Sequence, residues 1–278
     1  MAYDDYELLH INSERGVATA RVDAPPINLM TLPLFAEIAR FSAEVAADES
    51  VRVVVLKSAN PDFFIAHFDV TAILDFPIEK AAERATTNPF HQMCERFRTM
   101  PKATIAQIEG RVGGGGCELI QAFDMRFGVI GQTILSQMEV PLGILPGGGG
   151  TQRLPRLIGR GRALEMILAG DDLDAETAER WGLLNRVFPA DGIGPFVEGL
   201  AHRIAGFPAE AIGLAKESVN ASARPLAEGL IEEGYLFQRL IRSDAARQRI
   251  RRFLEEGGQT HAGELAVAEL VGRLGGDD

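Results

Sequence analysis

Cysteine and tryptophan are scarce in this chain of 278 residues, which contains only Cys94, Cys117 and a single tryptophan. Two cysteines are too few for the disulfide framework of a small secreted protein, and they favour a reducing compartment. The first ten residues contain acidic side chains and no basic residue before an apolar stretch, so they do not resemble a secretory signal. We therefore expect a cytoplasmic protein.

Long apolar runs and an excess of positive charge are also missing. No run approaches the ~18–20 apolar residues that a membrane helix requires, so no membrane partner is expected. The chain has 28 Lys+Arg against 39 Asp+Glu and a formal net charge of −11. Because nucleic-acid binding depends on lysine and arginine contacts to phosphates, this balance argues against a nucleic-acid partner. The length suits one large domain, or one domain with an appendage.

Glycine, by contrast, is abundant, with 30 residues, and eight of them lie in two runs at residues 113–116 and 147–150. Neither run has the G-x-G-x-x-G spacing of a dinucleotide site, and without a Gly-Lys pair the chain has no P-loop. The five histidines are scattered, and neither H-E-x-x-H nor C-x-x-C occurs. The sequence therefore predicts no metal site.

The spacing of apolar residues predicts an α/β chain. Alternation on both sides of a polar turn near Gly16 predicts a β-hairpin, and Thr31 is the expected N-cap of a helix from Leu34 to Val45. Further strands are predicted at residues 51–56, 102–108, 125–130 and 183–188, and further helices at 90–97, 117–123, 151–157, 162–169 and 174–182. Only helical periodicity follows, at residues 208–222, 225–242 and 244–256. We therefore divide the chain into an α/β part, residues 1–195, and a helical part, residues 196–278.

Two glutamates lie in surroundings that suit catalysis. Glu118 follows the first glycine run where a strand is predicted to give way to a helix, whose first N–H groups attract an anion or an oxyanion. Glu139 has apolar neighbours, which would raise the pKa of its carboxyl group and suit it to acid–base catalysis. Taken singly, each glutamate also fits a structural interpretation: a turn that suits the helix dipole for Glu118, and a solvated surface position for Glu139.

Taken together and in order, these segments resemble the crotonase (enoyl-CoA hydratase/isomerase) superfamily. The resemblance rests on Ala66-His67-Phe68-Asp69 and on residues 101–110, 114–118, 139–143, 146–154 and 174–187, and it covers roughly residues 5–256. It implies an α/β fold, a crotonase-like spiral of ββα turns with a C-terminal α-helical trimerisation region. It also implies an acyl-CoA thioester substrate, a trimer or dimer of trimers, and no cofactor beyond the coenzyme A of the substrate.

The resemblance also implies roles for particular residues. The backbone N–H groups of Phe68 and Gly115 would form an oxyanion hole for the thioester carbonyl as it gains enolate character. Glu118 and Glu139 correspond to the two glutamates with which hydratases activate water, so the expected activity is addition of water to a 2-enoyl-CoA. Substrate contacts are expected from Ala66, His67, Asp69, Gly114, Leu142, Gly143 and, from a neighbouring subunit, Phe253.

The chain departs from the family pattern at several positions. His67 stands where glycine is usual and Phe68 where alanine is common, while Thr71 and Glu256 stand where many relatives have lysine for the CoA phosphates. These departures leave two alternatives open. One is another enolate reaction, either double-bond isomerisation or C–C cleavage, and the other is a non-catalytic acyl-CoA-binding protein. The presence of both glutamates favours the hydratase.

Overall fold

The computed structural model describes residues 3–75, 87–257, 259–260 and 266–274. The strands are β1 (Leu9–Glu14), β2 (Val17–Val22), β3 (Val53–Ser58), β4 (Phe63–Ile65), β5 (Ala103–Ile108), β6 (Arg111–Gly113), β7 (Met125–Val129), β8 (Ile134–Ser136), β9 (Leu173–Asp174) and β10 (Arg186–Phe188). The helices are α1 (Leu32–Ala47), α2 (Val70–Leu74), α3 (Pro89–Thr99), α4 (Gly114–Ile120), α5 (Gly150–Ile158), α6 (Arg160–Ala169), α7 (Ala175–Trp181), α8 (Ala190–Ala205), α9 (Ala209–Ala221), α10 (Leu226–Leu240), α11 (Asp244–Glu255) and α12 (Val267–Arg273). A short 3-10 helix spans Val140–Leu142.

The strands form two sheets between which the chain alternates. The larger sheet has the order β1-β2-β3-β5-β7-β10, and the smaller has the order β4-β6-β8-β9. Three times in succession a strand of the larger sheet is followed by a strand of the smaller one and then by helical structure. This repetition confirms the expected spiral of ββα turns, and the helical C-terminal region is also present.

The local signals for the hairpin and two helix starts are confirmed. Strands β1 and β2 pair antiparallel, with Glu14 opposite Val17. Thr31 caps α1, since its side chain accepts the N–H of Leu34. Asp174 caps α7 in the same way, accepting the N–H of Thr177 at 2.6 Å, and this helix ends at Gly182, whose φ is +87°.

The apolar spacing of the sequence did not predict the individual strands of the smaller sheet. Its strands have only two or three residues, so none is long enough to show an alternating pattern. The segment between the predicted strand at residues 102–108 and the predicted helix at residues 117–123 contains β6 and the first turn of α4. Gly113 lies so close to the chain leading to the first loop that a Cβ on it would be 2.6 Å from the carbonyl oxygen of Ala66. Tertiary packing therefore determines the conformation of this segment.

Helix α8 covers the outer face of the larger sheet. Its buried residues Ile193 and Val197 belong to the same apolar cluster as Val53 and Val55 of β3. The boundary expected between the α/β part and the helical part, after residue 195, falls inside α8. Residues of α8 on both sides of this boundary pack against the larger sheet. The helices that follow, α9 to α12, form the C-terminal region. Within the described residues, no helix has both the length and the apolar character needed to cross a membrane.

Candidate active site

A cavity of about 610 Å³ lies where the first ββα turns converge. It is bordered by the loop after β4, the N-terminal ends of α1, α3 and α4, and the segment around the 3-10 helix. Phe68, Gly115, Glu118 and Glu139 all line this cavity. The fold therefore brings to one place the four residues expected to carry the chemistry, although Phe68 and Glu139 are 71 positions apart in sequence.

The loop carrying Phe68 is held by a backbone bridge to the chain preceding α1. Met30 N–H donates to the carbonyl of His67 at 2.9 Å, and Asp69 N–H donates to the carbonyl of Met30 at 3.1 Å. In the described part of the chain, the N–H groups of Phe68 and Gly115 donate no hydrogen bond. A Cβ on Gly115 would lie 3.6 Å from Phe68 N, so the two residues adjoin. Two unpaired N–H groups thus border the cavity side by side.

His67 fits into this loop without backbone strain. Among the described non-glycine residues, positive φ is confined to Asp5, Arg15, Asn28 and Gln259. The ring nitrogen Nδ1 of His67 lies 2.8 Å from the carbonyl oxygen of Phe68, and because a carbonyl can only accept, Nδ1–H donates this hydrogen bond. The loop therefore keeps its conformation with a side chain in the place of the usual glycine.

The first glycine run allows α4 to pack directly against the chain around β4. A Cβ on Gly116 would lie 2.8 Å from the carbonyl oxygen of Ile65, closer than real Cβ contacts. Gly114 has φ +43°, and a Cβ there would approach both His67 and Glu139 to 3.3 Å. Here glycine is needed for close approach as well as for backbone conformation.

Glu118 is buried, and its hydrogen-bond donors come from the second glycine run rather than from its own helix. Its Oε1 accepts the N–H of Gly148 at 2.8 Å and the N–H of Gly150 at 2.7 Å. Burial raises the pKa of this carboxyl group, while the two N–H groups act in the opposite direction by stabilising its charge. Oε2 takes neither of these bonds, although it also lies close to Gly148, at 2.7 Å from the position of a Cβ there.

Arg153 holds the second glycine run in this conformation. Its Nη1 donates to the carbonyl of Gly148 at 3.0 Å, and its Nη2 pairs with Glu95 of α3 at 2.9 Å. Gly149, between the two donors to Glu118, has φ +118°, which side-chain-bearing residues rarely adopt. The run thus presents two N–H groups to one carboxylate oxygen.

Glu139 is also buried and lies at the start of the 3-10 helix. Burial and, secondarily, the negative charge of Glu118 raise the pKa of Glu139 to about 7. With the Gln137 amide oriented to satisfy both of its ends, its nitrogen donates to the Glu139 carboxyl oxygens at 3.0 and 3.1 Å, and its oxygen accepts from Gln121 Nε2 at 3.0 Å. The Gln137 amide therefore orients the Glu139 carboxyl group, and Glu139 lines the cavity.

Three of the residues expected to contact the substrate line the cavity, and the others do not. His67, Gly114 and Leu142 line the cavity. Asp69 instead caps α2 by accepting the N–H of Thr71 at 2.9 Å. The remaining residues lie off the cavity lining: Ala66 at the start of the loop after β4, Gly143 at the end of the 3-10 helix, and Phe253 on α11. Glu256, at a position where relatives have lysine, pairs with Arg252 at 2.7 Å and with Arg273 at 3.5 Å.

Sequence reasoning missed the aromatic wall of the cavity and the donors to Glu118. Phe35 of α1 and Phe90 of α3 stack with ring centroids 5.9 Å apart, and Phe68 meets Phe90 edge-on at 6.4 Å. The helical spacing of Phe90 gave no sign that it faced a cavity. The glycine run after Pro146 was a visible signal, but its partner carboxylate is 30 residues away in sequence.

Cys117, beside Glu118, offers no nucleophile. It is fully buried, and burial raises the pKa of its thiol to about 12, so the reactive thiolate is absent at neutral pH. Across the described ranges, no group of three or more histidine, cysteine, aspartate or glutamate side chains is arranged to hold a metal ion.

Comparison with known proteins agrees with this geometry. A family model described as enoyl-CoA hydratase/isomerase matches residues 12–263. The chain belongs to this family. A Rhizobium meliloti member named "Probable enoyl-CoA hydratase" is 34% identical over 254 residues, covering 90% of this chain and 95% of that protein.

Solved structures of similar chains have the same fold. A crystal structure of an enoyl-CoA hydratase from Bacillus anthracis superposes with a TM-score of 0.83 at 29% identity, covering 90% of this chain and 97% of that one. A crystal structure from Streptomyces avermitilis is 37% identical, with a TM-score of 0.70, and covers 98% of this chain and 100% of that one. The family relationship therefore extends over nearly the whole chain.

Proposed function

We propose that this protein is an enoyl-CoA hydratase, which adds water across the conjugated double bond of a 2-enoyl-CoA. The observation that carries the proposal is that Glu118 and Glu139 border one cavity together with the unpaired N–H groups of Phe68 and Gly115. The substrate brings coenzyme A with it, and the proposed reaction needs no metal or redox cofactor.

The surroundings of the two glutamates suggest a division of roles. Glu118, whose charge is stabilised by two N–H groups, is the base that takes a proton from water as the water oxygen bonds to Cβ. Glu139, whose pKa lies near 7, is the acid that protonates Cα. Between these events the electrons of the double bond move onto the thioester oxygen, where the Phe68 and Gly115 N–H groups stabilise the charge. Return of a proton from Glu118 to Glu139 restores the enzyme.

The second carboxylate favours hydration over the alternatives. Moving a double bond requires one group that shuttles a proton, whereas adding water requires one to activate the water and one to protonate carbon. A protein that only bound acyl-CoA would have no use for two buried carboxyl groups, whose desolvation is costly. The Glu118 and Glu139 pair is therefore best explained by hydration.

The test is the loss of the conjugated enoyl absorbance when purified protein meets 2-enoyl-CoA thioesters. Glu118→Gln and Glu139→Gln should each lower kcat at least ~10²-fold, because glutamine keeps the shape and cannot transfer the proton. Glu165→Gln, at an exposed position on α6, is the matched control and should keep full activity. Absorbance that does not fall with any chain length would disprove the hydratase, provided that circular dichroism shows folded protein.

We further propose that the protein is cytoplasmic and forms a trimer or a dimer of trimers, with Phe253 covering the coenzyme A of a neighbouring subunit. Exposed apolar side chains on the C-terminal helices support assembly: Leu230, Ile231, Tyr235, Phe237, Ile250 and Leu254. Burying such a patch between subunits is favourable. Light scattering of the eluting protein should give three or six times the chain mass, and a monomeric mass would contradict the assembly.

A further inference from the structure

The cavity is far more apolar than its chemistry requires. Of its described lining residues, only His67, Asn88, Glu118 and Glu139 have polar side chains. A cavity of about 610 Å³ falls within the ~300–1,000 Å³ typical of sites that enclose a drug-sized ligand. The four-carbon crotonyl group, with a single carbon beyond Cβ, would leave much of this apolar wall uncovered.

The direction of the acyl tail follows from the proposed chemistry. The thioester oxygen faces Phe68 and Gly115, and Cβ receives water beside Glu118. Phe90 lies next to Glu118 on the cavity wall, because a Cβ on Gly148 would be 2.7 Å from Glu118 Oε2 and 2.6 Å from Phe90 Cε1. These contacts leave no room for a carbon atom beside Gly148, so the chain beyond Cβ continues along the cavity face of the Phe90 ring. The Phe90 ring, stacked on Phe35, forms an apolar wall at this point.

The apolar wall continues to the rim of the cavity. Leu142, Ile144 and Leu145 line it, and they are 53%, 42% and 61% exposed. Large apolar side chains grouped beside a binding cleft mark a surface that an apolar ligand covers. The three residues follow Glu139 directly in sequence, so the rim lies close to the catalytic carboxyl groups.

We propose that the preferred substrate carries an unbranched acyl tail of roughly eight or more carbons, long enough to run along Phe90 and cover the rim formed by Leu142, Ile144 and Leu145. This inference rests on the proposed hydratase function for its orientation. Each methylene that becomes fully buried should raise affinity by roughly fourfold, until the tail reaches the end of the apolar surface. Leu145 is then a specificity-determining residue, because it contacts only the far part of the tail.

The experiment measures binding and turnover separately. Dissociation constants for butyryl-, octanoyl- and decanoyl-CoA, which cannot be hydrated, are obtained by calorimetry, and kcat/KM is measured for the matching 2-enoyl-CoAs. We expect decanoyl-CoA to bind at least tenfold more tightly than butyryl-CoA, with the same order in kcat/KM. Equal or tighter binding of butyryl-CoA would overturn the inference. Chain-length-dependent binding without any hydration would overturn the hydratase and keep the acyl-tail site.

Two leucines provide a matched pair of variants. Leu145 and Leu168 are each 61% exposed, but only Leu145 lines the cavity, while Leu168 lies on α6. Leu145→Ser should reduce the ratio of butyryl- to decanoyl-CoA dissociation constants at least threefold, and Leu168→Ser should leave the ratio unchanged. If the two variants leave the same ratio, Leu145 does not contact the tail and the proposed path is wrong. Because both positions are exposed, neither variant should compromise folding.

Discussion

At the scale of single residues, the site shows how the surroundings of two glutamates affect the ionisation of each carboxyl group. Glu118 and Glu139 are both buried, and burial raises the pKa of each carboxyl group. The difference lies in their partners. Two backbone N–H groups favour the ionised form of Glu118, while the charge on Glu118 disfavours ionisation of Glu139. The backbone donors to Glu118 therefore favour its ionised form within the pair.

This difference predicts the pH dependence of the reaction. The proposed mechanism uses Glu139 in its protonated form, which dominates below its pKa of about 7 and is lost as pH rises above it. We expect kcat/KM for hydration to fall about tenfold per pH unit well above 7, as for loss of a single essential acid. The measurement is a rate profile at constant ionic strength between mildly acidic and mildly basic pH.

The Glu139→Gln variant provides the comparison for that profile. Its residual activity should lack the descending limb, because the titrating group is gone, whereas Glu165→Gln should reproduce the unmodified profile. A basic limb that persists unchanged in Glu139→Gln would assign the titration to another group. A flat profile for the unmodified protein would contradict the role of Glu139 as the acid.

At the scale of secondary-structure elements, the decisive feature is the contact of α4 with the chain around β4. Gly116 permits it, since a Cβ there would press on the backbone of Ile65. This contact places the first residues of α4 beside the loop that carries Phe68. The distance between the Phe68 and Gly115 N–H groups, which border the cavity, therefore depends on how closely this helix approaches β4.

Gly116→Ala should separate α4 from β4. We expect a loss of roughly 1–3 kcal/mol in the free energy of unfolding, as for overpacking elsewhere, and a fall in kcat larger than the rise in KM. Gly199→Ala is the control, since Gly199 lies in α8 with open space around it. A helical alanine there should stabilise by about 0.5–1 kcal/mol and leave kcat unchanged. Chemical denaturation and steady-state kinetics measure both effects, and equal stability of the two variants would contradict the packing argument.

The elements also show where sequence reasoning succeeded and where it could not. The helices with clear apolar spacing and side-chain caps, such as α1 behind Thr31 and α7 behind Asp174, were predictable because their signals are local. Strands β4, β6 and β8 were not, because three residues are too few to show a period. The start of α4 at Gly114 was missed for a related reason: four consecutive glycines disfavour a helix locally, and packing against β4 overrides that preference.

At the scale of the whole molecule, alternation between two sheets assembles the site. Successive turns of the spiral contribute the loop after β4, the start of α4 and the segment after β8, each at the end of a strand of the smaller sheet. Family resemblance singled out the two glutamates together with Phe68 and Gly115, and the structure places all four at one cavity, while their catalytic roles stay predictions. The Gly148 and Gly150 donors and the aromatic wall could not be predicted, because they depend on contacts between turns of the spiral.

The most direct test of the account is the mass of the product formed from a 2-enoyl-CoA in water enriched in heavy oxygen. The account predicts a 3-hydroxyacyl-CoA that has gained one water molecule carrying the heavy isotope, at a rate lowered at least ~10²-fold in Glu118→Gln. A product of unchanged mass would show isomerisation. Two smaller fragments would show C–C cleavage. Either of these results, or recovery of the substrate alone, would contradict hydration by the Glu118 and Glu139 pair.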